Sequence, residues 1–420
     1  MLKTIEIYNN LKIIIINNKK VIENYFFMTL LQILNSIFYL LIYPFLIGTL
    51  GANSYGSYVY AFSISVFFVS FVQFGFDTPA LKIISQNPND KKIHSEVFSS
   101  VFFSKIILSI ISSIIFVVLL KVVPIFKSNN WLFIICYFQV FSNILFPTWY
   151  FQAIQKMRVV TFIQLTLKII SLPLIFLFVA TPDDIIYFAF ISVLTGFLSG
   201  VIAMVIIMNN YSIRLVLISY KNLIITFKDA IPFFLSSSMN TIKQQSATVL
   251  LGSFFSMKDV ALYDLAMKIY LVPTTLISSI NSALFPKMIS SSWKKISMVI
   301  KLENIIGLFI VAFFVVFGKY IILFMGGTDM LESYPILIIL SFSVFTILTV
   351  GAIFNFIFIP RGLYRYIAIN QFIALVGFVL FSFIGLIFFF NRLVLPLAFA
   401  FAAIIEFLYS YYLLNKFKND

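Results

Sequence analysis

The sequence predicts an all-α integral membrane protein of twelve transmembrane helices in two six-helix lobes. Three observations predict it. The 420 residues are 61% hydrophobic and only 10% charged. An ordinary soluble domain carries about 25% charged residues, so this chain could not cover itself with polar groups in water. Twelve apolar stretches run along the chain, each long enough to cross about 30 Å of hydrocarbon as a helix. Lys and Arg gather in alternate loops between them.

The elements follow in order. Residues 1–24 form an N-terminal segment whose apolar patch, 13–17 (IIIIN), lies between Lys12, Lys19 and Lys20. The patch is too short to span and has no small-residue cleavage site, so the first true span is expected to serve as the insertion signal. The twelve stretches lie near 25–49, 56–80, 97–120, 131–151, 159–180, 185–208, 230–253, 260–285, 300–317, 333–359, 366–390 and 393–414. Outer-membrane strands would be about 10 residues long with strict alternation, and that pattern is absent. The expected organisation is a first lobe at 25–208, a basic linker at 209–228, a second lobe at 229–415 and a tail at 416–420.

Twenty Lys and Arg fall at the two termini and in the loops after the even-numbered stretches. Lys121, Lys127, Lys258, Lys319 and Arg392 are the five in the other loops. This asymmetry predicts both termini on the cytoplasmic side. Trp131 and Trp149, about 27 Å apart at helical rise, are expected to anchor the two ends of the fourth span.

The net charge of +14 does not indicate a nucleic-acid partner. A nucleic-acid-binding domain collects its cations on one face, whereas here they punctuate apolar runs. The single cysteine, Cys136, excludes an internal disulfide, and the single histidine, His94, speaks against a Cys/His metal site. No phosphate-binding loop, nucleophile elbow or zinc-protease motif is present. No cofactor, metal or ATP hydrolysis is therefore expected.

A weak internal repeat supports the two lobes. At an offset of 205, Tyr58 meets Tyr263, Ala61 meets Ala266, Lys82 meets Lys287, Ile84 meets Ile289 and Ser85 meets Ser290. That offset lays the second stretch on the eighth. Both halves then start from the same side, so the repeat is parallel, about an axis along the membrane normal.

Charges inside the spans mark candidate functional residues, because each costs at least about 2.5–3.5 kcal/mol at mid-membrane. Those singled out are Asp77, Lys105, Lys168, Lys243, Asp264, Lys268 and Glu406. Asp264 and Lys268 share a helix face at i, i+4. They form either a self-neutralising pair or the charged wall of a central cavity. Lys243 stands in a polar stripe with Asn240, Gln244 and Gln245, while Ser236, Ser237 and Ser238 suit close helix packing. Lys168 lies near mid-depth. Lys105 is placed either to snorkel or to pair with Asp77. Glu406 stands without an obvious cation, as a proton site or a structural hydrogen-bonding group. Lys168, Lys243 and Lys268, with Gln244 beside them, predict a cationic cavity for an anionic, phosphate-bearing substrate. Pro173, Pro232, Pro273 and Pro396 are expected to kink their spans.

Several segments together resemble a known family: LIGTLGANSYGSYVYAFSIS, FGFDTPALKIIS, SEVFSSVFFSKIIL, FPTWYFQAIQKMR and LLGSFFSMKDVALYDLAMKIYLVPTTLISSINSALFPKMIS. These are similar to O-antigen flippases, the polysaccharide-transporter branch of the multidrug/oligosaccharidyl-lipid/polysaccharide (MOP) exporter superfamily. The resemblance implies a V-shaped bacterial inner-membrane transporter working by alternating access, not an enzyme. It implies an oligosaccharide repeat unit on undecaprenyl pyrophosphate as substrate, ion coupling, and an O-antigen polymerase and chain-length regulator as partners. YDLAMKIY matches the pattern at Tyr263, Ala266 and Lys268, whereas the first-half counterpart has Ser63 at the lysine's place. A multidrug antiporter of the same fold and a membrane-embedded polymerase remain alternatives. Cavity lysines oppose the first, and the absence of a large extramembrane loop opposes the second.

The topology is testable by cysteine labelling of Ser212 and Ser253 replacements in a Cys136-free background. The two sites should react from opposite sides of the membrane; labelling of both from the periplasm would overturn the assignment.

Overall fold

A computed structural model of the protein describes residues 19–127, 129–288 and 293–417. The apolar patch at 13–17, Ile289 and Ser290 of the repeat and residues 418–420 of the tail lie outside them. Among the described residues the regular structure is helical. This follows from the solvent: hydrocarbon offers no hydrogen bonds, so each segment must satisfy its own backbone.

Ten helical segments among the described residues are long and apolar enough to cross a membrane. The first accounts for two spans. It runs Lys19–Gln73, 55 residues, or about 80 Å of helix, more than twice the hydrocarbon thickness. It breaks at Gly51, where φ is +73° and ψ 164°, a conformation that a residue without Cβ adopts freely. Residues 19–50 form span 1 and 52–73 span 2. Tyr220–Phe254 occupies the place of span 7. It is not one of the ten, since its polar stripe lowers its hydropathy. The remaining spans are 3 (Lys91–Val122), 5 (Met157–Phe178), 6 (Ile185–Asn210), 8 (Met257–Met288), 9 (Trp293–Gly326), 10 (Ser333–Ile353), 11 (Tyr364–Phe389) and 12 (Val394–Phe417).

Span 4 departs from expectation. It is three short helices, Asn130–Tyr137, Gln139–Leu145 and Thr148–Ala153. The second break falls at Phe146 (φ −106°, ψ 79°), which Pro147 drives out of the helical region by steric clash. Trp131 is exposed, as an anchor should be, but Trp149 is only 4% exposed. Trp149 packs inward on Phe98 and Tyr150 and is not a membrane anchor. Pro173, Pro232, Pro273 and Pro396 all lie within continuous helical segments. Span 2 ends at Gln73, and Asp77 begins a separate short helix, Asp77–Gln86. Asp77 is therefore not inside span 2. The segment 209–228 contains the end of span 6, the non-helical residues 211–219 and the first turns of span 7.

The two lobes meet along spans 1, 2, 7 and 8. At the start of span 2, a Cβ on Gly56 would lie 1.8 Å from the Met257 carbonyl oxygen, so the span 8 backbone rests directly on that glycine. Tyr60 Oη lies 3.0 Å from Ser253 Oγ beside it. At the other end, Phe74 stacks on Phe234 of span 7 at 4.2 Å. The lobes touch at both ends of span 2, spans 1 and 2 pack on spans 7 and 8 between, and a cavity lies at this interface.

A charged clasp ties the second lobe together at the end with few Lys and Arg. Arg392 donates to Asp259 Oδ1 (2.7 Å) and to Glu332, and Lys258 donates to Glu332 Oε1 (2.9 Å). It joins the starts of spans 8, 10 and 12. Lys258 and Arg392 hold the Glu332 carboxyl below its ordinary range. A depressed carboxyl stabilises the fold above its unfolded pKa of about 4.3, and the contribution disappears as pH falls through the lowered value. Thermal unfolding in detergent should therefore show an acid-side loss of stability that Glu332→Gln flattens. The effect is small because the group is exposed and screened. An acid limb identical in wild type and variant refutes the assignment.

Candidate substrate cavity

Between the lobes lies a cavity of about 410 Å³. Span 1 lines it with Gln32, Asn35 and Tyr39, span 7 with Gln244 and Gln245, and span 8 with Asp264 and Lys268. A second cavity of about 270 Å³ continues into the first lobe, where Lys168 lines it. Tyr39, Tyr58 and Phe62 border both.

Lys268 stands at the junction of the two lobes. Its Nζ donates to Asp264 Oδ2 (2.7 Å) and to Tyr55 Oη (2.8 Å), and Tyr55 in turn donates to Asp264 Oδ2 (2.9 Å). Tyr55 belongs to span 2, so this triangle crosses the lobe interface. The rings of Tyr39, Tyr55 and Tyr43 lie 4.9, 5.5 and 5.9 Å from the ammonium, within cation–π range. The two side chains are still partly open, 22% for Lys268 and 17% for Asp264.

Among the described residues Lys168 has no carboxylate partner. It donates to Asn35 Oδ1 (2.5 Å) and lies 5.0 and 5.3 Å from the Phe38 and Tyr39 rings. Tyr39 is therefore shared by Lys168 and Lys268. Two ammonium groups from the two lobes flank one aromatic side chain, and only that of Lys268 has a counter-charge there.

Lys243 and Glu406 correct the expectation. Lys243 does not line the central cavity. It is 7% exposed and faces into the second lobe, where it pairs with Glu406 of span 12 and donates to Gln371 of span 11 at 3.4 Å. One residue is about 100° of helix, so Gln244 faces the cavity while Lys243 faces away. Glu406 consequently has a cation beside it and is not an isolated carboxyl. Lys105, buried on span 3, does not snorkel. It donates to Asp77 Oδ1 at 2.6 Å, beyond the end of span 2, and neither residue lines the central cavity.

Sequence reasoning passed over Asn35, Tyr39 and Tyr55. The signal was present: Gln32, Asn35, Tyr39 and Tyr43 follow helical spacing on one face of span 1. It also passed over Glu303, which lies in the predicted ninth stretch and is only 3% exposed. Among the described residues no group of three or more His, Cys, Asp and Glu could hold a metal ion.

Two lobes of six spans around a cavity that carries an Asp–Lys pair define a multi-pass helical membrane protein of the MOP fold. Similar solved structures include an inward-facing multidrug resistance MATE family transporter of the MOP superfamily (15% identity, 91% of this chain, 99% of that one, TM-score 0.66). Another is the lipid II flippase MurJ in an inward closed conformation (16% identity, 93% and 86%, TM-score 0.66). The sequence pattern of the polysaccharide biosynthesis protein family matches residues 21–293, and the chain belongs to that family. Two relatives carry the name "Putative O-antigen transporter". One, from Escherichia coli (strain K12), is 24% identical over 64% of this chain and 65% of its own length. The other, from Shigella dysenteriae, is 30% identical over 37% and 39%. The matched regions thus span less than two thirds of either relative.

The buried pair yields a stability prediction. Lys243→Met leaves the Glu406 carboxyl uncompensated and should cost about 3–5 kcal/mol. Adding Glu406→Leu should recover most of it. A double variant as unstable as the single, measured by thermal unfolding, refutes the pairing.

Proposed function

We propose that the protein is a flippase for a lipid-linked oligosaccharide, moving an undecaprenyl-pyrophosphate-linked repeat unit from the cytoplasmic to the periplasmic leaflet of the bacterial inner membrane. It works by alternating access of the two lobes, coupled to an ion, and is not an enzyme. Both termini face the cytoplasm in this reading. An O-antigen polymerase and a chain-length regulator are its partners downstream. Family membership and the relatives' names support the transport of a polysaccharide precursor, and the Lys/Arg asymmetry supports the orientation.

The observation that carries the reading is the pair of lysines around Tyr39. Lys168 and Lys268 line adjoining cavities from opposite lobes. A pyrophosphate offers what both can use, a shared multivalent anion. On arrival it would compete with Asp264 for Lys268, break the Lys268–Asp264–Tyr55 triangle and so loosen the lobe interface. Substrate binding and lobe movement are thereby linked by one set of hydrogen bonds. A cavity of about 410 Å³ takes a headgroup-sized ligand; the sugars require the lobes to part. The MATE fold is equally similar, but adjoining cavities that each hold a lysine disfavour the organic cations that such aromatic walls would otherwise suit.

The test is export of the repeat unit. Lys268→Gln, expressed at normal level, should lower export at least about tenfold, as expected for losing a charge-assisted bond of about 1.5–3 kcal/mol. Lipid-linked intermediate should accumulate on the cytoplasmic leaflet. Lys268→Arg should keep part of the activity, since charge survives while shape changes. Full export by Lys268→Gln refutes the role.

A further inference from the structure

One carboxyl in the second lobe has no counter-charge among the described residues. Glu303 lies about 15 Å along span 9 from its start at Trp293 by helical rise. It is 3% exposed, and neither Oε1 nor Oε2 has a hydrogen-bond partner. Its polar neighbour is Asn281 of span 8, 2% exposed, whose Oδ1 is also without a partner. All three unpartnered atoms are acceptors when the carboxyl is ionised. The neutral Asn281 amide offers a donor nearby but no charge to balance a carboxylate. An ionised Glu303 cannot persist there: a buried, unpaired carboxylate carries several kcal/mol of penalty.

Among the described residues no charged side chain on the surrounding elements pairs with it. Those packed against span 9 are the long helix of spans 1 and 2, spans 8 and 10, and the turn Thr328–Met330. Span 10 contains no Asp, Glu, Lys or Arg, and its one tyrosine, Tyr334, donates to Val315 O. The turn brings Asp329 at the far end of span 9. Spans 1 and 2 carry Lys19, Lys20, Glu23 and Tyr25 near their start, and beyond these only the tyrosines from Tyr39 to Tyr60. Span 8 carries Lys258, Asp259, Asp264, Lys268, Lys287, Tyr263 and Tyr270; the Asp264–Lys268 pair is about 20 Å or more from Asn281 along the helix. On span 9 itself, Lys301 is two residues away and so on another face, with Lys294, Lys295, Lys319 and Tyr320 farther off.

A hard metal cation takes about six or more oxygens, and among the described residues the site offers Oε1, Oε2 and Oδ1. A single proton suffices: it turns Glu303 into a donor, removes the charge and gives Asn281 Oδ1 its partner. We propose that Glu303 and Asn281 form a proton-binding site in the second lobe, occupied while the lobes are closed and emptied when they part. The link to lobe movement is close by. Ser279, two residues before Asn281, donates to Gln32 Oε1 of span 1 at 2.5 Å, and Gln32 lines the central cavity. Parting the lobes breaks that bond and shifts span 8 against span 9 at Asn281. This places the coupling proton at Glu303 and not at Glu406, and its coupling role rests on the transport reading above.

Infrared difference spectroscopy of the full chain in lipid nanodiscs, between alkaline and acid pH, reads the site directly. The expected result is a protonated-carboxyl band that disappears in Glu303→Gln, a variant that keeps the shape and donates to Asn281 as the protonated acid would. In Asn281→Leu the band should remain but shift to the position of a free acid, which keeps the site testable if Glu303→Gln does not fold. A band untouched by both variants, or a Glu303 signal that follows sodium concentration at constant pH, overturns the proposal. The infrared result decides the proton site whether or not the chain exports oligosaccharide. Export that retains wild-type pH dependence in Glu303→Gln overturns the coupling role.

Discussion

A charge that stands alone in a bundle lying in hydrocarbon is costly, and much of the structure is arranged around that constraint. An ion at mid-membrane costs several kcal/mol unless something answers it. Lys105 is answered by Asp77, Lys243 by Glu406, and Lys268 by Asp264. The Lys243–Glu406 pair is enclosed and joins spans 7 and 12, so it acts as a fixed tie within one lobe. The Lys268 pair is partly open and shares its carboxylate with Tyr55 of the other lobe. The same chemistry therefore serves two ends: closed pairs hold a lobe together, and an open pair leaves a cation that a ligand can claim.

Lys168 and Glu303, each without an ionic partner among the described residues, are informative for the same reason. Lys168 has only the neutral Asn35 and the faces of Phe38 and Tyr39. An ammonium so held retains attraction for an anion, and it faces a cavity. Among the described residues neither carboxyl oxygen of Glu303 has a hydrogen-bond partner within ordinary distance, and the proton proposed above would remove its charge. Under-satisfied groups in a low-dielectric interior are costly, and they are the groups that the proposed anion and proton would complete.

The contact between lobes combines close packing with exchangeable hydrogen bonds. At Gly56 the backbones touch, and at Phe74–Phe234 two rings stack. Between these ends spans 1 and 2 pack along spans 7 and 8, one apolar core runs across both lobes, and the cavity lies beside it. The hydrogen bonds Tyr55–Asp264, Tyr60–Ser253 and Ser279–Gln32 cross the interface, and each joins side chains that water or substrate could satisfy in their place. The lobe movement proposed above would exchange such bonds and open part of the apolar core that the two lobes share.

The sequence by itself determined the class of protein, the number of spans and their order. Those depend on local quantities: apolar length against membrane thickness, and the side on which loop cations fall. The i, i+4 pairing of Asp264 and Lys268 was likewise local and legible. The pairing of Lys243 with Glu406 was not, because residues 163 positions apart meet only when spans 7 and 12 pack, and a single helical step decides whether Lys243 or Gln244 sees the cavity. The inward turn of Trp149 was equally hidden, since it follows from the breaks in span 4. Only the tertiary structure decided that Tyr39 stands between two lysines and that Glu303 has Asn281 as its polar neighbour. Partnership in a membrane protein is a property of packed faces, and a linear pattern reports which residues are charged, not which of them are answered.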